Sequence, residues 1–291
     1  MVKQRGSGKG LYIVYLFFRL FGYSGLRFVL AFVVLYFSLT TPALKRSLRE
    51  YYILCTGKFN FRIYYHHLFT FALVFADRFL SKKFTERYHI HAQNQRPYLS
   101  TINKGVLFLF SHVGDWSTCG LLPSEKNRPI NIVMHEVIKE SIQGFGKFIE
   151  GKPQNIIRVI DLSEGPIAVA VRIAKAFQNG EIVAMMADRF LTREQSIPVI
   201  FLGKRVIINK NPFEVAYNRD VPVIALLSLR DKDYHYNANY YWLTPYDRTI
   251  PKEEAIAVAA QEYATILEKV VQEHPDQWFN HYDFFEVASA S

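Results

Sequence analysis

Between Leu11 and Leu39 the chain is almost continuously apolar, interrupted by Arg19 and Arg27 and by the cluster Gly22, Ser24 and Gly25. Such a stretch must satisfy its backbone internally and hide its side chains in lipid or in a protein core, so it is expected to be helical, with a weak point between two halves at the glycines. Its longest uncharged run, Phe28 to Leu44, ends in the polar Thr40-Thr41-Pro42. That falls short of the roughly 20 apolar residues that span a bilayer comfortably. Two arrangements fit: a tilted span with snorkelling arginines, and an interfacial or re-entrant helical hairpin. A buried helix of a soluble protein is the third, and the arginines, lysines and aromatics gathered here weigh against it. A cleaved signal peptide is not expected, because the apolar region is too long and no small-residue cleavage site follows it.

The charge of the chain is concentrated in the same place. Of the net +9, the first 58 residues carry +8: nine cations, from Lys3 to Lys58, face Glu50 alone. Basic residues that bracket an apolar segment, above an almost neutral remainder, fit a protein held against an anionic membrane surface. A nucleic-acid-binding protein would spread cations over a docking face of its folded body, and no nucleic-acid motif is present. Cys55 and Cys119 lack the spacing of a zinc site and the density of a disulfide scaffold, so a reducing, cytoplasmic setting is expected. His66, His67, His89 and His91 have no acidic or cysteine partners at metal-ligand spacing, and no metal is expected.

Beyond the anchor, residues 45–96 read as helical, with Leu68, Phe71, Val74, Phe75 and Phe79 at helical intervals. From Gly105 the pattern changes to short apolar runs alternating with amphipathic stretches. Val106–Phe110, Ile130–Met134, Ile156–Ile160 and Ile182–Met186 read as strands, followed by Pro198–Leu202, Val206–Ile208, Val221–Leu229 and Tyr236–Leu243. Between Ile160 and Ile182 a helix is opened by Ser163 and Pro166 and stopped by Gly180. A long helix runs from about Pro251 to Glu273, closed by Pro275. The fold class is therefore α/β, a mostly parallel or mixed sheet flanked by helices, with an N-terminal helical membrane-associating segment. The expected division is residues 1–45 for that segment, 46–100 for a helical cap and 101–291 for the α/β body. Ligands in such sheets bind beyond the carboxyl ends of the strands, which draws attention to His112, two residues past a strand end.

Five short motifs and a terminal one follow in order: Phe-Ser-His-Val-Gly-Asp-Trp over 110–116, Ile-Val-Met-His over 132–135, Ser-Glu-Gly-Pro over 163–166, Ala-Asp-Arg over 187–189, Phe-Leu-Gly over 201–203, and Gln-Trp-Phe-Asn-His-Tyr-Asp over 277–283. Each alone is weak, but their order resembles the bacterial lipid A biosynthesis branch of the lysophospholipid acyltransferase superfamily over nearly the whole chain. The resemblance implies an acyltransferase of the glycerolipid acyltransferase-like fold. It would act at the cytoplasmic face of the bacterial inner membrane on a lipid or lipid-like acceptor. The donor would be an acyl thioester of acyl carrier protein or coenzyme A, used as co-substrate with no other cofactor.

In that family a histidine acts as general base and a carboxylate five positions later orients it. His112 matches the base, but Ser117 stands where the carboxylate is expected. Asp115 is the nearest acid and the expected substitute, with Asp188 the second candidate; the alternative for Asp115 is to cap the turn at Trp116. The resemblance implies that Asp188 and Arg189 hold an anionic headgroup or donor phosphate, and an internal ion pair would use the same two residues. Gly203, Lys204 and Arg205 read either as a loop beside the acceptor or as an ordinary hairpin turn. His135 and Glu164 complete the candidate substrate-binding set. Trp278, Phe279, Tyr282, Phe284 and Phe285 are expected to pack back on the body, or to meet the membrane. Ser117 also leaves open a degenerate member that binds lipid or carrier protein without chemistry, and a peripheral scaffold is the third reading. The acceptor, acyl length, donor carrier and oligomeric state are not legible in the sequence.

Overall fold

The computed structural model describes residues 8–93, 104–117, 128–134, 157–190, 192–282 and 284–285. The apolar N-terminal stretch forms α1 (Gly8–Thr40), and Gly22, at φ 61° and ψ −148°, breaks it into two helical pieces where the glycine cluster predicted a weak point. A second helix, α2 (Pro42–Thr56), starts on proline and ends at the left-handed Gly57. The third, α3 (Phe61–Lys83), is capped by the Asn60 side chain, which accepts from the Ile63 N–H at 2.9 Å.

The region over 45–96 expected to be helical thus holds two helices, and its last described part, from 89 to 93, is a strand. Residues His89–Gln93 form a strand, β1, at the edge of the main sheet. Its partner lies over 140 residues further on, where His235 pairs with His89, so no local pattern announced it.

The main sheet adds β2 (Val106–Phe110), β3 (Ile130–Met134), β4 (Ile157–Asp161), β5 (Ile182–Met186), β8 (Val223–Lys232) and β9 (His235–Trp242), in the order β1-β9-β8-β2-β5-β3-β4. Neighbours from β8 to β4 run parallel; β9 is antiparallel to β8. Every residue of β2 is buried, as a strand covered on both faces requires. The remaining strands, β6 (Ser196–Phe201) and β7 (Lys204–Asn209), make a separate antiparallel hairpin. Helices α4 (Pro166–Gln178), α5 (Asn211–Arg219) and α6 (Lys252–Glu273) complete the described elements. Leu107, Leu109, Val183, Val223 and Ala225 join the core shared with Ile173, Phe213, Ile256 and Tyr263 of those helices. On the opposite side of the sheet Val106, Phe108, Phe110, Ala184 and Leu226 form a second cluster.

One face of α1 is docked on this body. Phe18, Leu26 and Leu30 are buried with Leu73, Ala76 and Leu80 of α3 and Tyr236 of β9. The fully buried Asp77 accepts from Tyr23 of α1, from Tyr88 at 2.7 Å, from Tyr236 at 2.7 Å and from Arg230 at 3.3 Å. Burial pushes this carboxyl above its ordinary value, against the pull of the three hydroxyls and the guanidinium. The other face of α1 is apolar and exposed, with Leu20, Phe21, Phe28, Phe32, Tyr36 and Leu39 each more than 60% accessible. By length and composition its Tyr15–Thr40 stretch, of mean hydropathy 1.8, is long and apolar enough to cross a membrane.

Candidate active site

Strand register builds the site. Phe110 at the end of β2 is paired with Met186 at the end of β5, so residues two further on in each chain, His112 and Asp188, leave the sheet side by side. His112 Nδ1 lies 2.9 Å from Asp188 Oδ1, and the His112 backbone N–H donates to Asp188 Oδ2 at 2.8 Å. The carboxylate is fully buried while the imidazole is 28% exposed. Burial by itself would raise the Asp188 pKa, but the charge and hydrogen bonds of His112, together with the charge of Arg189, hold it below the ordinary carboxylate value. An ionised carboxylate only accepts, so in the neutral ring Nδ1 carries the proton and Nε2 keeps a lone pair.

The turn that carries His112 is clamped from two sides. The His112 carbonyl accepts from the Phe279 N–H at 2.7 Å, and the Gly114 N–H donates to the Gln277 carbonyl at 2.8 Å. Across the turn, the Asp115 N–H donates to the Ser228 carbonyl of β8 at 2.8 Å. Gly114 sits at φ +55°, and a Cβ there would stand 1.9 Å from that same carbonyl oxygen, so this position admits glycine alone. Ser111 is fixed by the Tyr263 hydroxyl at 2.6 Å.

Asp115, the acid nearest in sequence, is turned to other partners. Its Oδ1 accepts from Arg78 Nε at 2.9 Å and from the Ser117 N–H and hydroxyl at 3.0 and 2.6 Å. It therefore caps the short turn at Trp116, and Ser117, in the position where a carboxylate was expected, serves that cap. The carboxylate set against the imidazole is that of Asp188. Arg189, expected to hold an anionic headgroup or, as the alternative, to pair with Asp188, is tied to the terminal segment, donating to Asn280 Oδ1 at 2.8 Å and to the Phe279 carbonyl at 3.1 Å.

Leu202 and Gly203, with φ of 50° and 72°, form the tight turn of the β6–β7 hairpin, and Lys204 and Arg205 follow it, exposed. Glu164 is exposed past the end of β4, paired with Arg172. His135 lies outside the described residues.

Sequence reasoning did not single out Arg78, Tyr263, Asn280 or His281 as parts of this neighbourhood. Arg78 and Tyr263, on α3 and α6, carried no signal of their own, whereas Asn280 and His281 lie in the terminal aromatic segment, whose Trp278, Phe279, Phe284 and Phe285 are buried against the body. With them comes a buried histidine pair, His67 Nε2 to His281 Nε2 at 3.3 Å. His67 is pushed down to about 4 by burial, against the opposing charge of Asp276, and His281 is lowered by burial and by the charges of His67, Arg189 and His112. Both rings are neutral in the fold and protonate more readily once unfolded. Stability is therefore full above the unfolded value of about 6.5 and falls as pH drops toward the folded value. Thermal melts are expected to show a loss of Tm between pH 6.5 and 4 that His67→Phe reduces; equal slopes in both proteins would rule out this origin.

A partly exposed histidine backed by a buried carboxylate, at the carboxyl edge of a mostly parallel α/β sheet, has the geometry that a general base in group transfer requires. The chain belongs to the bacterial lipid A biosynthesis acyltransferase family, whose model matches residues 67–281. That span includes both His112 and Asp188. The family supports an acyltransferase role for the chain. No curated protein matches the sequence.

Proposed function

We propose that the chain transfers a fatty acyl group from a thioester of acyl carrier protein or coenzyme A to a hydroxyl or amine of a lipid-like acceptor, with His112 as general base and Asp188 as its orienting partner. The observation that carries this reading is the two-point contact of Asp188 with His112, which takes up Nδ1 and leaves the Nε2 lone pair on a ring whose side chain is 28% exposed. In the proposed step Nε2 takes the acceptor proton as the acceptor oxygen or nitrogen attacks the thioester carbonyl. Collapse of the tetrahedral intermediate breaks the carbon–sulfur bond, and the departing thiolate takes the proton from the imidazolium. The exposed Lys204 and Arg205 would attract phosphate of donor or acceptor.

The same reading places the protein at the cytoplasmic face of the inner membrane with α1 lying in the interface. Its buried positions run from Phe18 through Leu26 and Leu30 to Val34, along a neighbour, α3, that carries His66, Asp77 and Arg78. A helix so docked would have to draw those polar groups into hydrocarbon in order to span. An interfacial helix needs one apolar face, which α1 presents.

Lipid mass spectrometry of cells with and without the gene should show an acylated product that is absent when His112→Ala replaces the wild-type chain. An unchanged lipid profile in that variant would sink the catalytic reading and leave a binding protein.

A further inference from the structure

The inner face of α4, with Val169, Ile173, Ala176 and Phe177, is buried in the core. Its outer face also carries an apolar strip. Ile167 and Val171, one turn apart, are 81% and 62% exposed, and with Ala170 and Ala174 they line a groove that reaches Arg219 at the end of α5. Core packing uses only the inner face, and a surface helix is ordinarily polar on the other.

The charges along the groove have one sign. Lys175 and Arg219 line it, both exposed, and no carboxylate does. Neither cation is in an ion pair among the described residues. The acids nearest in sequence are neutralised, Glu164 by Arg172, Glu181 by Arg158, and Asp220 by Lys104 and Arg248. Unpaired cations beside an apolar floor complement a partner surface that sets carboxylates around an apolar side chain.

The position suits a soluble partner. Helix α4 packs on β4 and β5, whereas α1 is docked through Tyr236 of β9, toward the other end of the sheet. Strand β4 leads into α4 at the carboxyl edge of the parallel strands, the edge at which His112 follows β2. Three strand spacings, roughly 14 Å, separate β4 from β2. A flexible arm can cross that span while the folded protein bearing it stays on α4.

We propose that the α4 groove docks the acidic surface of the carrier protein that delivers the acyl thioester. This rests on the acyl-transfer reading above and favours a protein-borne donor over coenzyme A, which has no side chains to seat there.

The test measures binding, by full-length protein in detergent, of one long-chain acyl thioester presented on acyl carrier protein and on coenzyme A. Lys175→Glu combined with Arg219→Glu should weaken binding of the carrier-borne thioester by roughly tenfold, equivalent to about 1.4 kcal/mol, with coenzyme A thioester binding and the thermal melt unchanged. Val171→Asp should act the same way, and salt should weaken the wild-type carrier complex more steeply than that of the charge variant. Absence of carrier binding, equal effects on both thioesters, or carrier binding insensitive to the substitutions would overturn the assignment. So would sedimentation showing a dimer that Val171→Asp dissolves, since a second copy would then occupy the groove. Carrier docking by a chain whose lipid product survives His112→Ala would keep the groove and remove the acyl-transfer reading; His112-dependent turnover without carrier docking would do the reverse.

Discussion

Asp188→Asn is expected to leave the fold in place and to lower kcat by roughly ten-thousand-fold, the loss seen when the orienting aspartate of a serine-protease triad becomes asparagine. The amide oxygen can still accept from the His112 N–H, which donates at 2.8 Å to Asp188 Oδ2. The amide nitrogen then faces Nδ1 and donates to it, so the ring proton moves to Nε2 and the base loses its lone pair. Asp115→Asn is the matched control, because that carboxylate faces Arg78 and Ser117; its effect should fall mainly on stability. Steady-state kinetics of the two variants separate the roles. Near-wild-type kcat for Asp188→Asn together with collapse for Asp115→Asn would transfer the orienting role to Asp115.

Asp77→Ala is expected to destabilise the protein by roughly 3–5 kcal/mol, because Arg230 loses its fully buried partner and keeps the partly exposed Asp233, while three tyrosine hydroxyls lose their acceptor. The side chain of Arg230 is 10% exposed, and Asp77 and the nearby Asp233, at 2.6 Å from its guanidinium, are its ion-pair partners. Tyr23, Tyr88 and Tyr236 would lose their common acceptor, and with Tyr23 goes a polar tie between α1 and the sheet. Urea unfolding reads this directly, with Asp77→Leu combined with Arg230→Met expected to recover most of the loss. A cost under about 1 kcal/mol for the single change would show that this cluster does not hold α1 to the body.

The strands of the body were readable where burial on both faces makes a run mostly apolar. Val106–Phe110, Ile130–Met134 and Ile182–Met186 are found with the ends that their sequence predicts. Proline at the start and Gly180 past the end likewise bound α4. The edge strand His89–Gln93 was invisible, because four of its five residues are exposed and its pairing to β9 is long-range. The hairpin β6–β7 was read as two more strands of the series, since alternation along a strand says nothing about which sheet it joins.

The site divides along the same line. Sequence alone determined that a histidine follows a buried strand, that acids stand at positions 115 and 188, and that the N-terminal segment is apolar, basic and weakest near Gly22. Each of these is a property of neighbouring residues, and local sterics and hydropathy decide it. Which acid meets the imidazole was decided by tertiary structure, through the pairing of Phe110 with Met186 and the turn at Gly114 that aims Asp115 at Arg78. His112 and Asp188 are 76 residues apart, and contact between them depends on strand register, which is set by the packing of the whole sheet rather than by any local pattern.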